Sequence, residues 1–162
     1  MFKIIANKSI FLILLIWNSV AFTHEFKKNH VEIIHPMIST PFPEAISAAG
    51  YMKIVNNGEK KITLVAVSTN IGRAMIHETV MGSNGVLKMV PTPQVSIPAG
   101  HTFIFQYGQF HIMFTELDQR LNTNDLIPAT LLFSDNSKIN IEFKVEKPEH
   151  ILKKNTHMTH PN

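Results

Sequence analysis

Cysteine is absent from the 162-residue sequence. That excludes a disulfide scaffold, a thiolate nucleophile, a Cys-ligated zinc or iron–sulfur site, and a blue-copper centre, which needs a Cys ligand. Charge is sparse too: 17% of residues are charged against 44% hydrophobic, so the chain can build a packed core rather than stay disordered. Carboxylates are few and scattered, with no pair suited to acid–base work. There is no Gly-x-Ser-x-Gly nucleophile elbow and no glycine-rich phosphate loop. These absences argue against an enzyme. No helical period persists after residue 24, and no segment there matches the ~20 apolar residues of a spanning helix.

What the sequence does have is methionine, 8 residues, and histidine, 9 residues. Their placement is the main question once the first segment is set aside. Residues 1–21 carry Lys3 and Lys8, an apolar run at 10–17 (IFLILLIW), and small residues at Ser19 and Ala21. This three-part pattern predicts a secretory signal peptide cleaved after Ala21, hence a periplasmic protein that is not integral to the membrane. Losing two lysines and no acid takes the formal charge from +3 to +1. A near-neutral chain lacks the basic excess that nucleic-acid phosphates favour.

The remainder reads as one β-barrel domain at 22–147 and a His/Met-containing tail, expected to be flexible, at 148–162. Short β-rich runs recur at 31–34, 50–55, 61–68, 73–81, 86–90, 101–107, 129–133 and 139–145, bounded by Gly, Pro, Asn and Asp. A short extended piece lies at 110–114. Eight strands at this spacing predict an all-β Greek-key barrel or sandwich. The three prolines of 91–98 bar that stretch from a central strand. Phe103, Phe105 and Tyr107 would share one strand face.

His111-Ile112-Met113 is the sharpest local feature. On an extended chain residues two apart share a face, so an imidazole and a thioether project side by side. His77 lies on the fourth strand and Met89 on the fifth, across a hairpin that turns near residues 83 and 84. Met89 then falls opposite 78–81, close to His77. Two imidazoles and two thioethers form a soft donor set, for which Cu(I) is the natural ion. Thioethers carry no proton to lose and form no disulfides in an oxidising envelope, which suits copper handling there. Imidazole must be neutral to bind, so affinity should weaken below a pKa of about 6.5.

The stretch 31–145 resembles the periplasmic copper chaperone family PCu(A)C. His77, then one residue, ten residues, Met89, twenty-one residues and His111-x-Met113 match that family's signature. Ala48-Ala49-Gly50-Tyr51, Asn56-Asn57-Gly58, Gly85-Val86-Leu87-Lys88 and Ile97-Pro98-Ala99-Gly100 resemble its flanks. Two positions depart: Glu78 stands where the family often has Met, and 106–110 replaces a Pro-Gly-Gly-like turn. The resemblance implies a cupredoxin-like β-barrel that binds one Cu(I) through His77, Met89, His111 and Met113. It also implies delivery toward the dinuclear copper centre of cytochrome c oxidase, to an oxidase subunit directly or through another copper chaperone.

Other readings stay open at this point. Met81 could replace Met89 if the hairpin register slips. Phe110, Phe114 and Tyr107 could shield the ion from water. Cleavage after Ala21 would put His24 third in the chain, a geometry for Cu(II). His150, His157, Met158 and His160 could hold a further Cu(II). His30, His35 and Met37 read as strand-edge or loop residues. The rival functions are a copper-tolerance or storage protein and a metal-free secreted β-sandwich, which would hold His77 and His111 apart.

Overall fold

The computed structural model describes residues 25–148. The signal segment, His24, His150, His157, Met158 and His160 lie outside the described residues.

Among the described residues eleven strands form one curled sheet. They are β1 (Glu25–Lys28), β2 (Val31–Ser39), β3 (Ser47–Asn56), β4 (Ile62–Thr69), β5 (Arg73–Met81), β6 (Leu87–Pro91), β7 (Val95–Ile97), β8 (Thr102–Phe105), β9 (Phe110–Thr115), β10 (Leu126–Phe133) and β11 (Lys138–Glu146). The order across the sheet is β6-β5-β9-β3-β2-β11-β10-β4-β7, with β1 paired to β2 and β8 to β3. All pairs are antiparallel except β2 with β11. The all-β class expected from the sequence is what forms.

Period-two alternation builds the core. On β11, Ile139, Ile141, Phe143 and Val145 are buried while the residues between them face water or the rim. Ile33, Ile38, Ile54, Leu64, Ile112, Phe114 and Leu131 join them in one continuous cluster. Gly50 marks the tightest approach. A Cβ there would stand 2.6 Å from Phe114 Cε2 and 3.3 Å from Phe143 Cε1, so only glycine lets β3 lie under that ring pair. The two rings meet edge to face with centroids 5.4 Å apart.

The strand count differs from the expected eight for identifiable reasons. β2 runs through Pro36 instead of ending before it. His35 takes φ 49° and the register with β3 shifts between Ile34 and Met37, so a bulge absorbs the proline. β7 sits between Pro93 and Pro98 at the sheet edge, paired only to β4. The proline rule holds there, since an edge strand tolerates a missing donor. The piece at 110–114 is a full strand, β9, bonded on both sides. β8 stops at Phe105, because 106–109 closes a turn with Gly108 at φ 75°. Phe105 is therefore buried and Tyr107 exposed, so the three aromatics do not share a face.

Candidate metal centre

Strands β5 and β9 carry the expected histidines, and their pairing is direct. His77 lies opposite His111, and Met75 opposite Met113. Ile76, Ile112 and Phe114 are buried in the core cluster, which fixes the other parity as the outward face. His77, His111 and Met113 all stand on that outward face. The imidazoles stack with centroids 5.9 Å apart and planes 23° from parallel. A metal-free sandwich would hold them apart; here they are cross-strand partners.

Both rings are buried although they face outward. His111 is 3% exposed and His77 9%. Each Nδ1 faces the carbonyl two residues back: His77 that of Met75 at 3.4 Å, His111 that of Gln109 at 3.2 Å. With Nδ1–H donating to these carbonyls, each Nε2 keeps its lone pair free. Nε2 of His111 is buried without a partner. A buried polar atom left so costs about 1–3 kcal/mol and calls for an explanation. A metal ion bound at that atom supplies one. Among the described residues no three His, Asp or Glu side chains cluster; the further donor that shares this face on β9 is the thioether of Met113.

Burial, reinforced by the nearby His77, lowers the His111 pKa from its ordinary value, against the opposing pull of the Gln109 carbonyl. The imidazole is thereby kept neutral at pH 7, the form a metal requires. The same shift links fold to pH. The unfolded chain binds the proton more readily, so this contribution to stability is complete above pH about 6.5 and is lost as pH falls through the lower folded value.

β6 brings Met89. The hairpin pairs Met89 with Thr79 and Pro91 with His77. Met89 thus shares the outward face and lies diagonal to His77, one row along. Its side chain is 60% exposed. Met81, the alternative weighed from the sequence, pairs with Leu87 at the far end of the hairpin. It stands four residues from His77, about 13 Å along the strand.

The aromatic shield does not form as expected. Phe110 and Phe114 have the opposite parity from His111 and Met113 and pack inward, Phe110 edge to face with Phe103 at 5.1 Å. Tyr107 is exposed on its turn. The outward face instead carries Tyr51, 7% exposed, in a small cluster with Met37 and Ala49. Ala49 pairs with Met113, and Tyr51 follows it on the same face. Burial, with Tyr107 nearby, pushes the Tyr51 hydroxyl up to about 12, so it stays a neutral phenol. Met37 is thereby a covered sheet residue rather than a loop residue.

Sequence reasoning named Tyr51 only within a flanking motif and passed over Met75, although both stand on the outward face. The signal for Met75 was present: Met75-x-His77 is the mirror of His111-x-Met113, and antiparallel pairing sets such mirrors face to face.

Comparisons with known proteins agree with this architecture. The chain is similar in structure to the apo PCuAC domain of PmoF1, at a TM-score of 0.67 and 22% identity over 77% of this chain and 100% of that one. The copper-bound PCuAC domain of PmoF2 gives 0.65 and 20% over 77% and 99%. Cu(I)-bound DR1885 of Deinococcus radiodurans gives 0.55 and 27% over 70% and 76%. The fold is therefore cupredoxin-like. In sequence, the chain is 32% identical over 101 residues to protein RP573 of Rickettsia prowazekii strain Madrid E, covering 61% of this chain and 55% of that protein. The chain thus spans about half the length of that relative. Residues 31–145 match the LpqE-like lipoprotein family, and with most of its length inside that match the chain belongs to that family.

Proposed function

We propose that this protein is an exported copper chaperone, active in the periplasm, that binds one Cu(I) on the outward face of β5, β6 and β9 and passes it on. The observation that carries the reading is the buried, unpartnered Nε2 of His111 stacked beside His77. In this reading His77 and His111 bind through Nε2, and Met113 and Met89 add thioethers. The carbonyls of Met75 and Gln109 fix the tautomers and aim the rings. Soft sulfur favours Cu(I) over Cu(II) or zinc. The copper-bound PCuAC domain supports copper, and Cu(I)-bound DR1885 supports its cuprous state. The lipoprotein family supports export.

Transfer here is ligand exchange rather than bond chemistry, so the protein is not an enzyme. Met89 sits on the sheet edge and in solvent, so it is the ligand that a partner displaces first. The recipient in this reading is the dinuclear copper centre of cytochrome c oxidase, reached directly or through another copper chaperone.

An anaerobic Cu(I) titration of the full chain against a competing chelator tests the proposal, followed by mixing with an apo domain of the dinuclear centre. One tight equivalent is expected, with Cu(I) passing to the apo domain. Because burial lowers the His111 pKa, protonation of that imidazole should weaken Cu(I) binding only below pH about 6.5. The absence of a tight equivalent at pH 7 contradicts the proposal. Tight binding without transfer leaves a storage protein.

A further inference from the structure

Two three-residue His/Met motifs face each other. On β9 the order is His111, Ile112, Met113; on β5 it is Met75, Ile76, His77. Antiparallel pairing sets His against His and Met against Met. Directly opposed residues have Cβ atoms about 4.5–5.5 Å apart, within reach of two flexible thioethers and one ion between them. Met75 is 43% exposed on this face, and its own carbonyl orients His77. By position on the shared face Met75 stands to His77 as Met113 stands to His111, although the carbonyl that orients His111 is that of Gln109.

Building on the copper reading above, we propose that Met75 is a further Cu(I) ligand, which exchanges with Met89 during transfer. Met89 lies in the row on one side of the His77–His111 pair, Met75 and Met113 in the row on the other. His77, His111 and Met113 hold the ion throughout. The Cu–S bond to Met89 breaks and one to Met75 forms. The copper stays Cu(I), and no proton moves, because a thioether has none to give. Met89 and the edge strand β6 are then free, and an incoming ligand can take the position Met89 vacates. The protein keeps a full donor set while its outer side is open.

The plain alternative is that Met75 only covers the sheet. Leucine does that equally well, so substitution separates the two. Cu(I) affinity of the full chain is measured by chelator competition for the natural sequence, M75L, M89L and the double variant. Each single change should cost about tenfold or less, because the other thioether substitutes. The double change should cost more than the product of the two singles, at least about 100-fold. The 13C-methyl resonance of Met75 should shift with the first equivalent of Cu(I), and further in M89L. An M75L change without effect in either background, with an unmoved methyl resonance, overturns the exchange. If that result comes with tight binding that H77A and H111A abolish, the copper reading survives alone. A natural chain that binds no Cu(I) overturns both.

Discussion

Replacing His111 with leucine is expected to lower Cu(I) affinity by at least about 100-fold, some 2.7 kcal/mol, while leaving the metal-free fold as stable as before or slightly more so. The two effects have opposite causes. For the ion, the substitution removes one of two imidazoles that stack at the site. For the fold, it removes a buried Nε2 that has no hydrogen-bond partner. The change gives up the Nδ1–H bond to the Gln109 carbonyl, but that carbonyl keeps the Thr79 N–H at 3.1 Å, so the exchange for an apolar side chain of similar size is near neutral or stabilising. Leucine also removes a group that resists protonation when folded. The loss of stability on acidification below pH about 6.5 should therefore be smaller in the variant. Chemical denaturation of the apo-protein at pH 7 and pH 5, with Cu(I) competition at pH 7, checks all three. An apo-protein destabilised by several kcal/mol at pH 7 would show His111 to be a packing residue instead.

The second large effect lies on the other side of the same strand. Phe114 is fully buried, packs edge to face on Phe143, and sits over Gly50. Phe114→Ala should cost about 3–5 kcal/mol of stability, through lost burial and the cavity left behind. Yet Cu(I) affinity of the folded protein should barely change, because Phe114 points away from Met113 and His111. Phe110→Ala should show the same separation with a smaller stability cost, since Phe110 is only partly buried. Denaturant unfolding gives the first quantity and chelator competition the second. If either variant weakened Cu(I) binding tenfold without unfolding, or exposed the ion to oxidation, aromatic shielding from the core side would return.

Parity explains both what the sequence made legible and what it hid. The alternation of 139–145 and 61–68 was enough to place strands. His111-x-Met113 sharing a face followed from the two-residue period alone. The hairpin after Met81 could be counted to within a residue or two, and the structure settles Met89 opposite Thr79. Long-range pairing was not legible. Nothing local says that β9 lies between β5 and β3, so the meeting of His77 with His111 and of Met75 with Met113 could not be read from spacing. The resemblance to copper chaperones supplied the His77–His111 grouping but passed over Met75. The same parity rule, applied to Phe110 and Phe114, would have turned both away from His111. The sequence ends β2 before Pro36, because a bulge that admits proline depends on the partner strand. The aromatic pattern of 101–107 extends β8 past its true end at Phe105, because it conceals the turn that Gly108 closes.

The central claim is that His77 and His111 bind one Cu(I) together through their Nε2 atoms. Long-range 1H–15N correlation spectra of the imidazoles, recorded anaerobically before and after one equivalent of Cu(I), test it most directly. The account predicts Nδ1-protonated tautomers for both rings in the apo-protein. It further predicts that both Nε2 resonances shift with the first equivalent while both Nδ1 resonances stay those of a protonated nitrogen. A tightly bound first equivalent that leaves the two Nε2 resonances in place would contradict it and put the copper elsewhere in the chain.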